Sequence, residues 1–119
     1  MKYHESEEMY LETILLLTNK MEEVRSIDVA NELNYSRASV SRAMGLLQKK
    51  EYIMIDKGNI KLTESGMKKA KDIFERHEII TDLLLHIGVS SELAEENACR
   101  IEHVISPELL EYFKKFLNK

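Results

Sequence analysis

Closely spaced turn and cap signals fill the stretch from Ser26 to Leu62, and they leave few folds open. Ser26 is a favourable N-cap for a short helix over Ile27–Leu33, with Asp28 near its positive end. Asn34-Tyr35 then reads as a turn, because asparagine tolerates the left-handed conformation that a tight helix-to-helix corner requires. Ser36 caps a second helix from Arg37 to Lys50. The small Ala30 lets the two helices approach closely, which is the pattern of a helix-turn-helix. Val40, Ala43, Met44 and Leu47 form the inward face of the second helix. Ser36, Arg37, Ser39 and Arg42 are left outward near its N-terminal end, the end that enters a DNA major groove. Next come two short β-branched segments, Tyr52–Asp56 and Asn59–Leu62, joined by Lys57-Gly58. A two-residue turn containing glycine makes them a hairpin. A hairpin directly after a helix-turn-helix is a wing, and its Lys57 and Lys61 suit phosphate contact.

The flanking sequence is helical. Met9, Tyr10, Ile14, Leu15 and Leu17 recur at helical spacing in a helix over Met9–Thr18, with Glu5, Glu7 and Glu8 at its start. Thr63 caps a long helix, Met67 through Ile87, which carries Ile73, Phe74, Ile79, Ile80, Leu83 and Leu84 and stops at Gly88. Ser90-Ser91 caps a helix over Glu92–Ile105. Ser106-Pro107 opens a last one through Leu117, with Leu109, Leu110, Phe113 and Phe116 on one side. The expected fold is therefore mainly α: a winged helix-turn-helix over residues 1–63, then a helical module over 64–119. The apolar faces of that module close either over the first helix or against a second copy of the chain.

Charge supports this division. The net charge is -4, yet Arg37–Lys61 holds six basic residues against two acidic ones, and Ser90–Tyr112 holds six acidic residues against one basic. A basic middle suits phosphate and an acidic end suits cations. No run of about 18 apolar residues exists to span a membrane. The start, Met1–Glu5, lacks the apolar core of a signal peptide. The single cysteine cannot form an intramolecular disulfide and fits a reducing compartment, so the expected location is the cytoplasm.

The acidic end contains Cys99-Arg100-Ile101-Glu102-His103. On a helix these place a thiol, a carboxylate and an imidazole within one turn, three potential metal ligands. Further donors must come from elsewhere, and Met9, Glu12 and His77 are available. As a nucleophile and base, Cys99 and His103 would lack an oxyanion hole, a Gly-rich elbow and a third orienting group, so no enzyme is expected.

The order of parts resembles the diphtheria toxin repressor and manganese transport regulator family of metal-dependent repressors, over Tyr3–Leu117. The likeness is carried by Met9-Tyr10-Leu11-Glu12, Val40-Ser41, Leu62-Thr63, Arg76-His77 and the Cys99–His103 run. It implies that Met9, Cys99, Glu102 and His103 stand where the iron-responsive branch places its primary ligands. Glu12 and His77 stand where the manganese branch holds a second ion. Two ancillary positions of the iron-responsive branch are Thr81 and Glu95 here, and threonine is a poor ligand. The chain ends at Lys119, so the resemblance is to a short form without the SH3-like domain. It implies a helical metal-binding and dimerisation module, one or two divalent ions per subunit, a homodimer on double-stranded operator DNA, and repression of metal-uptake genes. The thiolate and thioether favour Fe(II), with Mn(II) as the other ion. The alternative is a metal-independent winged-helix regulator that senses a small organic ligand.

Overall fold

The computed structural model describes residues 7–118; Tyr3 and Glu5 lie outside the described residues. The helix α1, Glu7–Thr18, begins two residues earlier than its apolar pattern, with Glu7 and Glu8 in the first turn. Its buried side chains span a wide arc that includes Tyr10, Leu11, Ile14, Leu15 and Leu17. A helix apolar over so much of its circumference belongs at the centre of a core. It packs against α2 (Ser26–Leu33), α3 (Arg37–Lys49) and β2 (Asn59–Leu62).

Ser26 is the first residue of α2 and Arg25 takes the N-cap, which corrects the expectation for Ser26. A guanidinium has no acceptor atom, so the end is closed from the other side. The Arg25 backbone N–H donates to the Asp28 carboxylate at 2.8 Å. Meanwhile the Arg25 side chain reaches Glu23 and donates to the Lys57 carbonyl at 3.1 Å, a long-range contact that no local signal announces. Asn34 ends α2 in the left-handed region at φ 59°. Ser36 caps α3, its hydroxyl oxygen accepting from the Ser39 N–H at 3.1 Å.

The strands β1 (Ile53–Asp56) and β2 pair antiparallel, Ile53 opposite Leu62 and Asp56 opposite Asn59. Lys57 and Gly58 both have positive φ, 52° and 84°, as a turn matching strand twist demands. The segment before α2 runs beside the hairpin: the Ile60 N–H donates to the Val24 carbonyl at 2.7 Å, and the Val24 N–H to the Asn59 side chain at 3.0 Å. Gly66, near the start of α4 (Glu64–His86), lies so close to the wing that a Cβ there would stand 1.9 Å from the Tyr52 carbonyl oxygen.

Two compact units make up the chain, Met1–Lys71 and Asp72–Lys119, and the boundary falls within α4. In the second, α4 ends where Gly88 turns to φ 100° and the Val89 N–H returns to the Leu84 carbonyl. The helix α5, Ser91–Ile101, is capped by Ser90, and α6, Pro107–Leu117, by Ser106. Their core joins Ile79, Ile80, Ala98 and Leu110 to Leu84, Phe113 and Leu117, while Phe74 and Leu83 are only half-buried. The expected single apolar side of α6 divides in two. Leu110, Phe113 and Leu117 face inward, whereas Leu109, Tyr112 and Phe116 form an exposed ridge.

Candidate metal centre and DNA-reading face

The residues expected to read DNA all belong to the first unit. Ser36, Arg37 and Arg42 are exposed at the N-terminal part of α3, and Ser39 is half-buried against Ser36, whose hydroxyl donates to the Ser39 oxygen at 3.0 Å. Lys57 and Lys61 are exposed on the wing. Among the described residues none of these four cations forms a salt bridge, whereas Lys50 and Lys69 both pair with Glu7. The outward cations therefore face solvent at the positive end of a helix and on an adjacent hairpin. That arrangement attracts a polyanion.

The second unit gathers the metal-type donors. The helix α5 ends at Ile101, not at Ile105, and Glu102 is its C-cap. The reason is a contact from α4: the Arg76 guanidinium donates to the Glu102 carbonyl at 2.7 Å, satisfying an acceptor that a further helical turn would have used. His103 consequently sits in the turn after the helix. Glu102 is completely buried, while Cys99, one turn earlier, is exposed.

His77, on α4, is held between two carboxylates. Its Nδ1 lies 2.6 Å from Glu102 Oε1 and its Nε2 lies 2.7 Å from Glu95 Oε1. Hydrogen bonds from Cys99, Glu102 and Glu95, with the charge of Glu102, outweigh desolvation and push the His77 pKa up to about 11. Without a metal, the ring is thus an imidazolium, a cation already standing among acidic groups.

Glu102 Oε2 is the telling atom. It is buried, makes no hydrogen bond among the described residues, and lies 3.3 Å from His103 Nε2. A buried carboxylate oxygen left unsatisfied costs several kcal/mol unless a cation or donor meets it. A carboxylate, two imidazoles and a thiol from α4, α5 and the following turn fit a divalent first-row ion. The structure thus brings His77, Glu95, Glu102 and His103 together within one unit, with Cys99 exposed one turn before Glu102. Met9 and Glu12 lie in the first unit, three residues apart on one face of α1. Glu95, which the resemblance places at an ancillary position but which was not counted among the expected ligands, is the second partner of His77. Its signal was its position four residues before Cys99 and seven before Glu102, on the same helical face.

A winged helix-turn-helix followed by a helical unit in which a buried carboxylate stands between two part-buried imidazoles, with an exposed thiol one turn away, defines a metal-responsive DNA-binding regulator. The chain is 36% identical over 116 residues to the transcriptional regulator MntR of Escherichia coli O6:H1, covering 92% of this chain and 72% of the relative. It is 32% identical over 118 residues to an HTH-type transcriptional regulator of Methanocaldococcus jannaschii, covering 97% and 94%. Among solved structures, the manganese regulator SloR superposes with a TM-score of 0.83 at 26% identity over 97% of this chain; the match spans 54% of that one.

The chain belongs to the iron-dependent repressor family: residues 2–58 match its N-terminal DNA-binding domain and residues 63–119 its metal-binding and dimerisation domain. It is a metal-responsive transcriptional repressor that binds operator DNA as a dimer, which sets aside the metal-independent alternative. Among the described residues no helix is long and apolar enough to cross a membrane.

Proposed function

We propose that the chain is an Fe(II)-responsive repressor of metal-uptake genes, active in the cytoplasm and without enzymatic activity. Residues 1–63 read the operator and residues 64–119 bind metal and dimerise. The single observation that carries the reading is the buried Glu102 carboxylate, its Oε1 against His77 and its Oε2, without a hydrogen bond among the described residues, 3.3 Å from His103 Nε2. Cys99, Glu102 and His103 would hold the primary ion with Met9. His77 and Glu12 would hold a second ion, to which the Glu102 carboxylate would also contribute. When bound, the ion supplies positive charge that lets a thiolate and several carboxylates share one site. Met9 and Glu12 belong to the helix at the centre of the DNA-reading unit, so their recruitment orients that unit. In a dimer this sets two recognition helices for half-sites about 34 Å apart.

Sulfur donors at Met9 and Cys99 favour Fe(II) over Mn(II). Mn(II) is the second reading, favoured by the oxygen-rich surroundings of His77, where Glu95 and Glu102 both lie within 2.7 Å. On the DNA side, Arg42 and Ser39 contact base edges, Arg37 and Ser36 bases or phosphates, and Lys57 and Lys61 phosphates.

The test is an anaerobic titration of Fe(II) and Mn(II), separately, against binding to a duplex selected by the metal-loaded protein from a random pool. Affinity should rise at least about tenfold with metal, a coupling typical of linked sites, and fall back with chelator. Glu102→Gln should not respond to either metal. A variant that responds like the parent would refute the assignment.

A further inference from the structure

Met9 is a flexible donor with three rotatable bonds, and a weak one, so something must hold its sulfur if it is to serve a metal. The structure shows what does. The Tyr35 hydroxyl donates a hydrogen bond to Met9 Sδ at 3.1 Å. Tyr35 is itself fixed twice: its N–H donates to the Ala30 carbonyl at 3.0 Å, and its ring meets Tyr10 edge-on with centroids 6.1 Å apart. It also stands between the left-handed Asn34 and the cap residue Ser36, immediately before the recognition helix.

We propose that Tyr35 is a positioning residue for the Met9 thioether, orienting a metal donor and tying it to the start of the recognition helix. A thioether sulfur has two lone pairs. The hydroxyl engages one, which fixes the rotamer of an otherwise mobile side chain. Partners of this kind orient metal ligands and set affinity without touching the ion. The inference rests on the reading of Met9 as a ligand, and it goes beyond that reading by assigning a role to a residue in the helix-turn-helix corner.

The experiment is a double-mutant cycle on the full chain, with anaerobic Co(II) alone as the probe, followed through its ligand-field absorption. Met9→Leu should weaken Co(II) binding about tenfold, and Tyr35→Phe about fivefold, at the low end of partner effects on metal sites. Adding Tyr35→Phe to Met9→Leu should change affinity less than about twofold, because the hydroxyl then has no sulfur to hold. Tyr35→Phe keeps the ring against Tyr10, and a thermal melt checks that each variant folds. Equal losses from Tyr35→Phe in both backgrounds would make its role purely structural and overturn the proposal. Unchanged or tighter binding by Tyr35→Phe alone would overturn it too. If Met9→Leu binds Co(II) as the parent does, Met9 is no ligand, and the underlying reading fails with this one.

Discussion

The two units of this chain treat their own polar and apolar groups differently. In the DNA-reading unit the hairpin and recognition helix are locked from within: Ser36 caps α3, Val24 and Asn59 bind the wing, and Thr63 donates to the Glu51 carbonyl at 2.7 Å. The second unit leaves a buried Glu102 oxygen unsatisfied and an apolar ridge of Leu109, Tyr112 and Phe116 exposed. One unit is complete as folded. The other matches a metal-binding and dimerisation domain, and on the proposed function a cation and a second copy finish it.

The sharpest way to break this contrast is to remove the metal. With free ion at about a hundred times Kd, linkage gives about 2.7 kcal/mol of stabilisation. Hydrogen exchange should show that gain in residues 91–103 and leave residues 36–62 little changed; equal protection of both would dissolve the distinction. Next in size is Tyr112→Glu. Truncating or charging a central aromatic anchor typically costs about 2 kcal/mol of association, so sedimentation should show monomer where the parent is dimeric. A persistent dimer would move the partner surface away from α6.

Gly66→Ala tests the completeness of the first unit. Its Cβ would collide with the Tyr52 carbonyl, and a forced backbone shift of this kind costs about 1–3 kcal/mol, read as a lower melting temperature. An unchanged melt would show that wing and helix are not closely coupled. The smallest effect belongs to Lys61→Ala, which should weaken all duplexes alike and reduce the salt slope by about one unit. A change in sequence preference would instead make Lys61 a base contact.

Local chemistry made much of this fold legible. Asn34, Ser36, Lys57-Gly58, Gly88, Ser90 and Ser106-Pro107 each specify a turn or cap through their own backbone or hydroxyl, and each does so in the structure. What stayed hidden depends on contacts distant in sequence. Arg25 displaces Ser26 as cap while reaching the wing, and Arg76 stops α5 from another helix. Of the candidate site, Cys99, Glu102 and His103 were visible as a run of donors. The pairing of His77 with Glu95 was implied only by the resemblance, through its ancillary positions; no local pattern signals it, because it exists only after α4 and α5 pack. The second ridge of α6 escaped for a simpler reason: eleven residues with so many large apolar side chains fill two faces, and periodicity alone does not say which is covered.

The guanidinium of Arg25 carries a final consequence. By grasping the Lys57 carbonyl from the entrance of α2, it adds a side-chain tether at the hairpin's tip to the backbone ties that Val24 makes at its second strand. Exchanging that one residue would loosen the tip of the wing while Arg37, Ser39 and Arg42 stayed the same.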